Sequence, residues 1–259
     1  MKKNRRNFIK SASALASLSI LPTSIWASDK IKRLRTAHIG VGGMGAQDLN
    51  DIASHKSVDV VALCDVDSNA LKDAGKLYPK AKLYKDYRVM FEEIADLFDA
   101  VIVSTPDHSH APPSILAMEL NKSVYCQKPL THYVSEARAM RKLAAKNNLI
   151  TQMGIQVHSF YDYKLATLLI QSGIIGKVSR VRAWSQKSWG NDGLEPKNID
   201  QVPKNLDWDL WLGTAPKRPY KEKIYHPGMW RRILDFGCGT LGDMGCLLYT
   251  SPSPRDVEE

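Results

Sequence analysis

The stretch "LRTAHIGVGGMGAQDLNDIA", Leu34 to Ala53, places an apolar run ahead of a cluster of glycines and an amphipathic run behind it. Gly40, Gly42 and Gly45 keep the spacing G-x-G-x-x-G. Between a strand and a helix, the first glycine makes a tight turn and the second lets a pyrophosphate approach the backbone. The third lets helix and strand pack closely, and the helix N-terminus faces the phosphate charge. Gly43 and Met44 complete the expected phosphate-binding loop. Asp65 closes the next apolar run, "VDVVALCD", at about the twenty-residue offset expected of an acid that binds the adenosine ribose hydroxyls. No arginine follows it immediately, and a carboxylate there repels a 2′-phosphate. NAD is therefore the expected cofactor, rather than NADP.

Outward from this turn, short apolar runs alternate with amphipathic ones. "AVIVST", "SVYCQ" and "LITQMG" read as further strands. Met44 to Ala53, Ser114 to Leu120 and Ser135 to Lys146 read as helices, the last with Ala137, Met140, Leu143 and Ala144 on one face. Strands separated by helices pair in parallel through right-handed crossovers, which predicts an α/β doubly wound sheet over residues 34–153. The texture changes after Gly154. Tyr163 to Gln171 reads as a helix, and "GKVSRVRAWS" alternates as a half-buried strand should. The run from Gly190 to Arg232 carries Pro, Gly and Trp with little periodicity, the pattern of a functional loop rather than of core.

Two motifs fall at the carboxyl edge of the expected sheet, where ligands of such folds bind. In "STPDHSHAPP", Thr105, Pro106, His108 and His110 are expected on the nicotinamide side of the cofactor. Two histidines on a loop, with no Cys or carboxylate cluster nearby, make a poor metal site, so no metal is expected. In "VYCQKPL", Gln127, Lys128 and Pro129 follow a strand directly. A lysine at that edge can hydrogen-bond a substrate hydroxyl while its charge favours an alkoxide, and the proline fixes the backbone beside it.

The chain has 259 residues and a formal charge of +9. Much of that excess lies in the acid-free first 27 residues, at Lys2, Lys3, Arg5, Arg6 and Lys10, and the remaining basic residues are dispersed among acids. This argues against a nucleic-acid partner. A basic start, the short apolar run "SASALASLSILPTSIWA" and a small residue at Ala27 read instead as a signal peptide, too short and too Ser-rich to span a membrane. Arg5 and Arg6 ahead of Phe8 resemble a twin-arginine signal. Its reading predicts the twin-arginine export machinery as a partner, a periplasmic or otherwise exported location, and folding before export. Cys64, Cys126, Cys238 and Cys246 have no metal-type spacing and read as free thiols.

Taken together, GVGGMG, Asp65, STPDHSHAPP, the QKP of Gln127 to Pro129, "GIIGKV" at Gly173 to Val178 and "GTLGDMG" at Gly239 to Gly245 resemble the Gfo/Idh/MocA oxidoreductases. "WDLWLGTAP", "RPY" and "MWRRILDFGCGTLGDMG" resemble in particular a secreted, twin-arginine branch of that family. The resemblance implies a Rossmann domain followed by an α+β substrate domain with an antiparallel sheet. It implies NAD-dependent oxidation of a secondary hydroxyl on a sugar or cyclic polyol, and a homo-oligomer when full length. The family's usual E-K-P departs here to Gln127, whose amide can still bond a ribose hydroxyl. The family's catalytic Asp is matched by Asp243, but the proton-accepting His four residues later is Leu247. The run Cys246 to Asp256, "CLLYTSPSPRD", reads as the translation of a transposase-type sequencing adapter. Residues 154–245 are accordingly expected to be an incomplete substrate domain, residues 246–259 a non-native tail, and the chain an inactive fragment. Two alternatives stay open, an NAD-assisted glycosidase or lyase and a non-catalytic dinucleotide-binding protein. Should the chain be active, His158 and His226 are the first candidates for another proton acceptor.

Overall fold

The computed structural model describes residues 33–190 and 199–249. The expected signal peptide, residues 191–198 of the long run and residues 250–259 of the expected 246–259 tail lie outside the described residues. Six strands form one parallel sheet: β1 (Leu34–Ile39), β2 (Val58–Cys64), β3 (Lys82–Tyr84), β4 (Ala100–Val103), β5 (Ser123–Gln127) and β6 (Thr151–Gly154). Their order is β3-β2-β1-β4-β5-β6, so the direction of winding reverses between β1 and β4, beside the glycine turn. Between them run α1 (Met44–Ala53), α2 (Ser68–Leu77), α3 (Tyr87–Ile94), α4 (Ala111–Glu119) and α5 (Val134–Lys146). The expected doubly wound sheet is present. The sequence's apolar runs do not reveal β3, α2 and α3. β3 is three residues long, with two of them exposed, so it carries no apolar run to read.

Local chemistry explains the elements. β4 is buried at every position, as a central parallel strand covered on both faces must be, and this is why it reads as an unbroken apolar run. Asp67 and Asp86 cap α2 and α3 by accepting the N–H groups of Asn69 and Arg88, each at 2.9 Å. The core beneath the sheet gathers Met90, Phe91, Phe98, Val101, Val103, Met118 and Val124. Phe91 and Phe98 meet edge to face at 5.7 Å.

After β6 come α6 (Gln156–Ser159), α7 (Tyr161–Gln171), α8 (Trp208–Leu212) and α9 (Gly239–Tyr249). Two expectations for this half are corrected. "GKVSRVRAWS" forms no strand, and Val181 and Trp184 are each 76 % exposed. A strand needs a hydrogen-bonded neighbour, and no described strand follows β6. The run expected to be loop contains instead a second hydrophobic core. Leu206, Trp211, Leu212, Tyr220, Tyr225 and Trp230 close around Phe236, with Tyr225 and Phe236 wholly buried. Trp208 stacks on Trp211 at 4.8 Å, and Trp211 meets Phe236 edge to face at 4.9 Å. Such pairs contribute about 0.5–1.5 kcal/mol each beyond the area they bury. Aromatic rings at irregular spacing make this core, which is why no helix or strand period reveals it.

The second core is tied to the carboxyl edge of the sheet. Asp207 N–H donates to Val66 O at 3.0 Å, and Ser68 N–H to Asn205 O at 2.7 Å. His108 N–H reaches Phe236 O at 3.2 Å, and its ring packs on Trp211 and Phe236 at 5.4 and 5.0 Å.

Candidate active site

The glycine turn leaves β1 and enters α1 as the spacing requires. A Cβ at Gly45 would stand 2.0 Å from Gly40 O, so only glycine lets α1 approach the turn. Nothing lies within 4 Å of a Cβ built at Gly43, which leaves the outer face of the turn open. Asp65, at the end of β2, accepts the N–H groups of Val41 and Asp67, each at 2.8 Å. Burial pushes its carboxyl up, and those two N–H groups offset part of the rise. The acid is thus tied to the glycine turn, where a dinucleotide's adenosine ribose would lie. A cradle that glycine alone can form, an open outer face and an acid at the end of β2 fit NAD.

The "STPDHSHAPP" loop follows β4, but its two histidines differ from expectation. His108 does not face the cofactor side. Its ring is buried in the second core, Nε2 lies 3.1 Å from Trp211 O, and burial pulls its pKa down to about 4. His110 is also buried, with Nδ1 2.8 Å from Pro129 O and Nε2 2.7 Å from Thr105 O. Both partners are carbonyl oxygens, so both ring nitrogens must carry protons. Burial opposes that charge, but Cys126, Asp107 and the Pro129 carbonyl outweigh it and lift the group to about 9. Thr105 turns its hydroxyl back to Ser109 O at 2.9 Å. Pro106 precedes a single turn of 3-10 helix from Asp107 to Ser109.

Gln127 also departs from expectation. Its amide is buried and donates to both carboxylate oxygens of Asp48, at 3.1 and 3.0 Å, rather than facing a ribose. Lys128 reaches out from the end of β5 to α9. Its Nζ donates to Asp243 Oδ1 at 2.7 Å and to Asp243 O at 3.0 Å. The two side chains are only 11 % and 4 % exposed. Trp189 Nε1 donates to Asp243 Oδ2 at 2.7 Å, and Arg231 Nε stands 3.7 Å from Oδ1. Burial opposes the charge on Asp243, but Lys128, Trp189 and Arg231 together hold its carboxyl below the usual range. Arg231 is kept in place by lying 4.2 Å over the Trp230 ring. The two expected catalytic residues are therefore in direct contact. Leu247 lies one helical turn beyond Asp243.

His226 Nε2 lies 3.0 Å from Asp67 Oδ2, beyond the end of β2, and His158 stacks on Tyr163. Asp48, Ser104, Trp189 and Arg231 were missed from the sequence. Asp48 alone left a signal, an acid on the same face of α1 as the buried Gly45 and Leu49. Cys64, Cys126, Cys238 and Cys246 form no disulfide among the described residues. Among the described residues, no three His, Cys, Asp or Glu side chains converge on a possible metal position.

Residues 34–155 match an oxidoreductase family profile described as an NAD-binding Rossmann fold, and residues 161–253 match the same family's C-terminal alpha/beta domain. The chain belongs to the Gfo/Idh/MocA oxidoreductase family. Its N-terminal half is that family's NAD-binding domain, and NAD is its cofactor. A glycosyl hydrolase family 109 protein of Stenotrophomonas maltophilia is 33% identical over 225 residues, covering 82% of this chain and 48% of its own length. A D-apiose dehydrogenase of Paraburkholderia graminis is 34% identical over 214 residues, covering 83% and 51%. The crystal structure of myo-inositol 2-dehydrogenase from Lactobacillus plantarum superposes with a TM-score of 0.53 at 30% identity, over 57% of this chain and 43% of that one. The chain thus spans about half the length of the curated relatives it matches.

Proposed function

We propose that the activity is NAD-dependent oxidation of a secondary hydroxyl on a sugar or cyclic polyol. The contact between Lys128 Nζ and Asp243 Oδ1, 2.7 Å long, carries this reading. It sets a cation held by a carboxylate at the carboxyl edge of the sheet, one loop away from the glycine turn. The turn from Gly40 to Gly45 and Asp65 would hold NAD, which when bound supplies the hydride acceptor. Lys128 would hydrogen-bond the substrate hydroxyl and stabilise the alkoxide as its proton leaves. Asp243, kept ionised by its neighbours, would hold that ammonium in place.

What this arrangement lacks is a proton acceptor at position 247, where leucine can take no proton. We therefore expect residues 1–259 to show no turnover, while Leu247→His supplies the missing base. The test follows NADH absorbance for both proteins with inositols, hexoses and glycosides, alongside NAD binding and release of the glycoside's leaving group. NAD reduction by the histidine variant with polyols or sugars upholds the reading. Binding without reduction by either protein leaves a dinucleotide-binding protein.

The similarity to a glycosyl hydrolase family 109 protein favours a second reading, glycoside cleavage with only transient oxidation. Leaving-group release without net NADH would select it. Export through the twin-arginine machinery to the periplasm is also proposed, on Arg5 and Arg6 ahead of an apolar run. Replacing both by lysine should leave the protein in the cytoplasmic fraction, and unchanged fractionation would refute export by that route.

A further inference from the structure

Asp48 sits on the inward face of α1, and a carboxylate buried there is costly unless its oxygens are bonded. They are bonded to two strand ends. Ser104 Oγ, just past β4, donates to Oδ2 at 2.6 Å. Gln127 Nε2, at the last residue of β5, donates to Oδ2 at 3.0 Å and to Oδ1 at 3.1 Å. A carboxylate cannot donate, so only the NH₂ end of the Gln127 amide can face it. The amide oxygen is thereby turned the other way, and Oε1 accepts the Lys128 N–H at 2.8 Å. Beyond Lys128, the Pro129 carbonyl is held by His110 Nδ1 at 2.8 Å. The main chain on both sides of Lys128 is pinned by buried side chains, and its ammonium arrives on Asp243.

We propose that Asp48 is a positioning residue for Lys128, acting through Gln127. Its charge sets the orientation of the Gln127 amide, and that amide sets the backbone from which the lysine reaches. The pair also accounts for an amide preceding Lys128. A glutamate at 127 would confront the Asp48 carboxylate with a second one inside the protein, whereas the amide donates to it. The functional importance of the arrangement rests on the proposed role of Lys128, but the geometry can be tested without turnover.

The test measures acylation of Lys128 by acetic anhydride in the full chain, read by peptide mass spectrometry against Lys76, whose side chain is 64% exposed. Asp48→Ala and Gln127→Glu should each speed Lys128 labelling by about fivefold, the scale of one lost hydrogen bond. Combining Asp48→Asn with Gln127→Glu reverses the polarity, since the asparagine amide can donate to the glutamate while Lys128 N–H still has an acceptor. That double variant should return to within about twofold of the unsubstituted protein. Leu49→Ala loosens the packing of α1 without touching the network, so it should leave the Lys128 to Lys76 ratio unchanged. The proposal is overturned if the double variant labels as fast as Gln127→Glu, or if Leu49→Ala reproduces Asp48→Ala. Failure of the dehydrogenase reading would leave these labelling rates untouched.

Discussion

His110 is held at both ring nitrogens by carbonyl oxygens of the loops that follow β4 and β5. Its pKa is lifted from an ordinary 6.5 to about 9. A group raised by folding contributes its full stability below its unfolded value and loses it as pH climbs through the folded one. Urea midpoints of the unsubstituted protein should therefore fall between about pH 6.5 and pH 9, and those of His110→Gln should fall less over the same window. Parallel curves would mean that the imidazole is neutral in the fold. His108, two residues away, has the opposite fate, and nothing in "DHSH" tells the two apart. What separates them is Trp211 and Phe236 over one ring and two carbonyls around the other.

At the scale of the element, the glycine turn and α1 form one unit, and its glycines serve different ends. At Gly45 the limit is space, with the Gly40 carbonyl 2.0 Å from where a Cβ would stand. At Gly43 the limit is backbone conformation, φ 53° and ψ −117°, with no atom in the way. Gly45→Ala should consequently displace α1 and abolish cooperative unfolding. Gly43→Ala should keep the fold and lose about 1–3 kcal/mol, the cost of an L-residue held in a sparsely populated region. Circular dichroism followed through urea unfolding distinguishes the two outcomes, and equal losses would refute the division. The spacing of these glycines was legible because the turn is local. Asp48 was only half legible, since its position on α1 could be read but its partners, just past β4 and at the end of β5, could not.

Across the whole molecule, the second core is a cap of aromatic rings seated on the carboxyl edge of the sheet. Trp211 is its hinge point, touching His108, Trp208, Tyr225 and Phe236. Trp211→Ala should cost about 3–5 kcal/mol, as loss of a buried aromatic generally does. Hydrogen exchange should then rise across Leu206 to Phe236 while amides of β1 and β4 keep their protection. A uniform rise through β1 and β4 would show instead that sheet and cap unfold as one unit. Arg231 lies within the Leu206 to Phe236 span and its Nε stands 3.7 Å from Asp243 Oδ1, so loosening the cap should disturb the candidate catalytic pair.

The sequence by itself determined five of the six strands, most clearly β4, whose burial on both faces makes it an unbroken apolar run, and the helices α1, α4 and α5, while β3, with two of its three residues exposed, α2 and α3 stayed unread. It also located the glycine turn, Asp65 and Lys128 at strand ends, where the structure places them, because their signals lie within a few residues of a strand. Only the tertiary structure decided that Gln127 serves Asp48, 79 residues away, and that Lys128 meets Asp243, 115 residues away. The same holds for the aromatic core, assembled from rings with no common period, and for the strand that "GKVSRVRAWS" does not form. In each case the outcome depends on which groups meet after the chain has closed on itself, and hydrogen bonds and ring packing between distant residues leave no periodic trace along the chain.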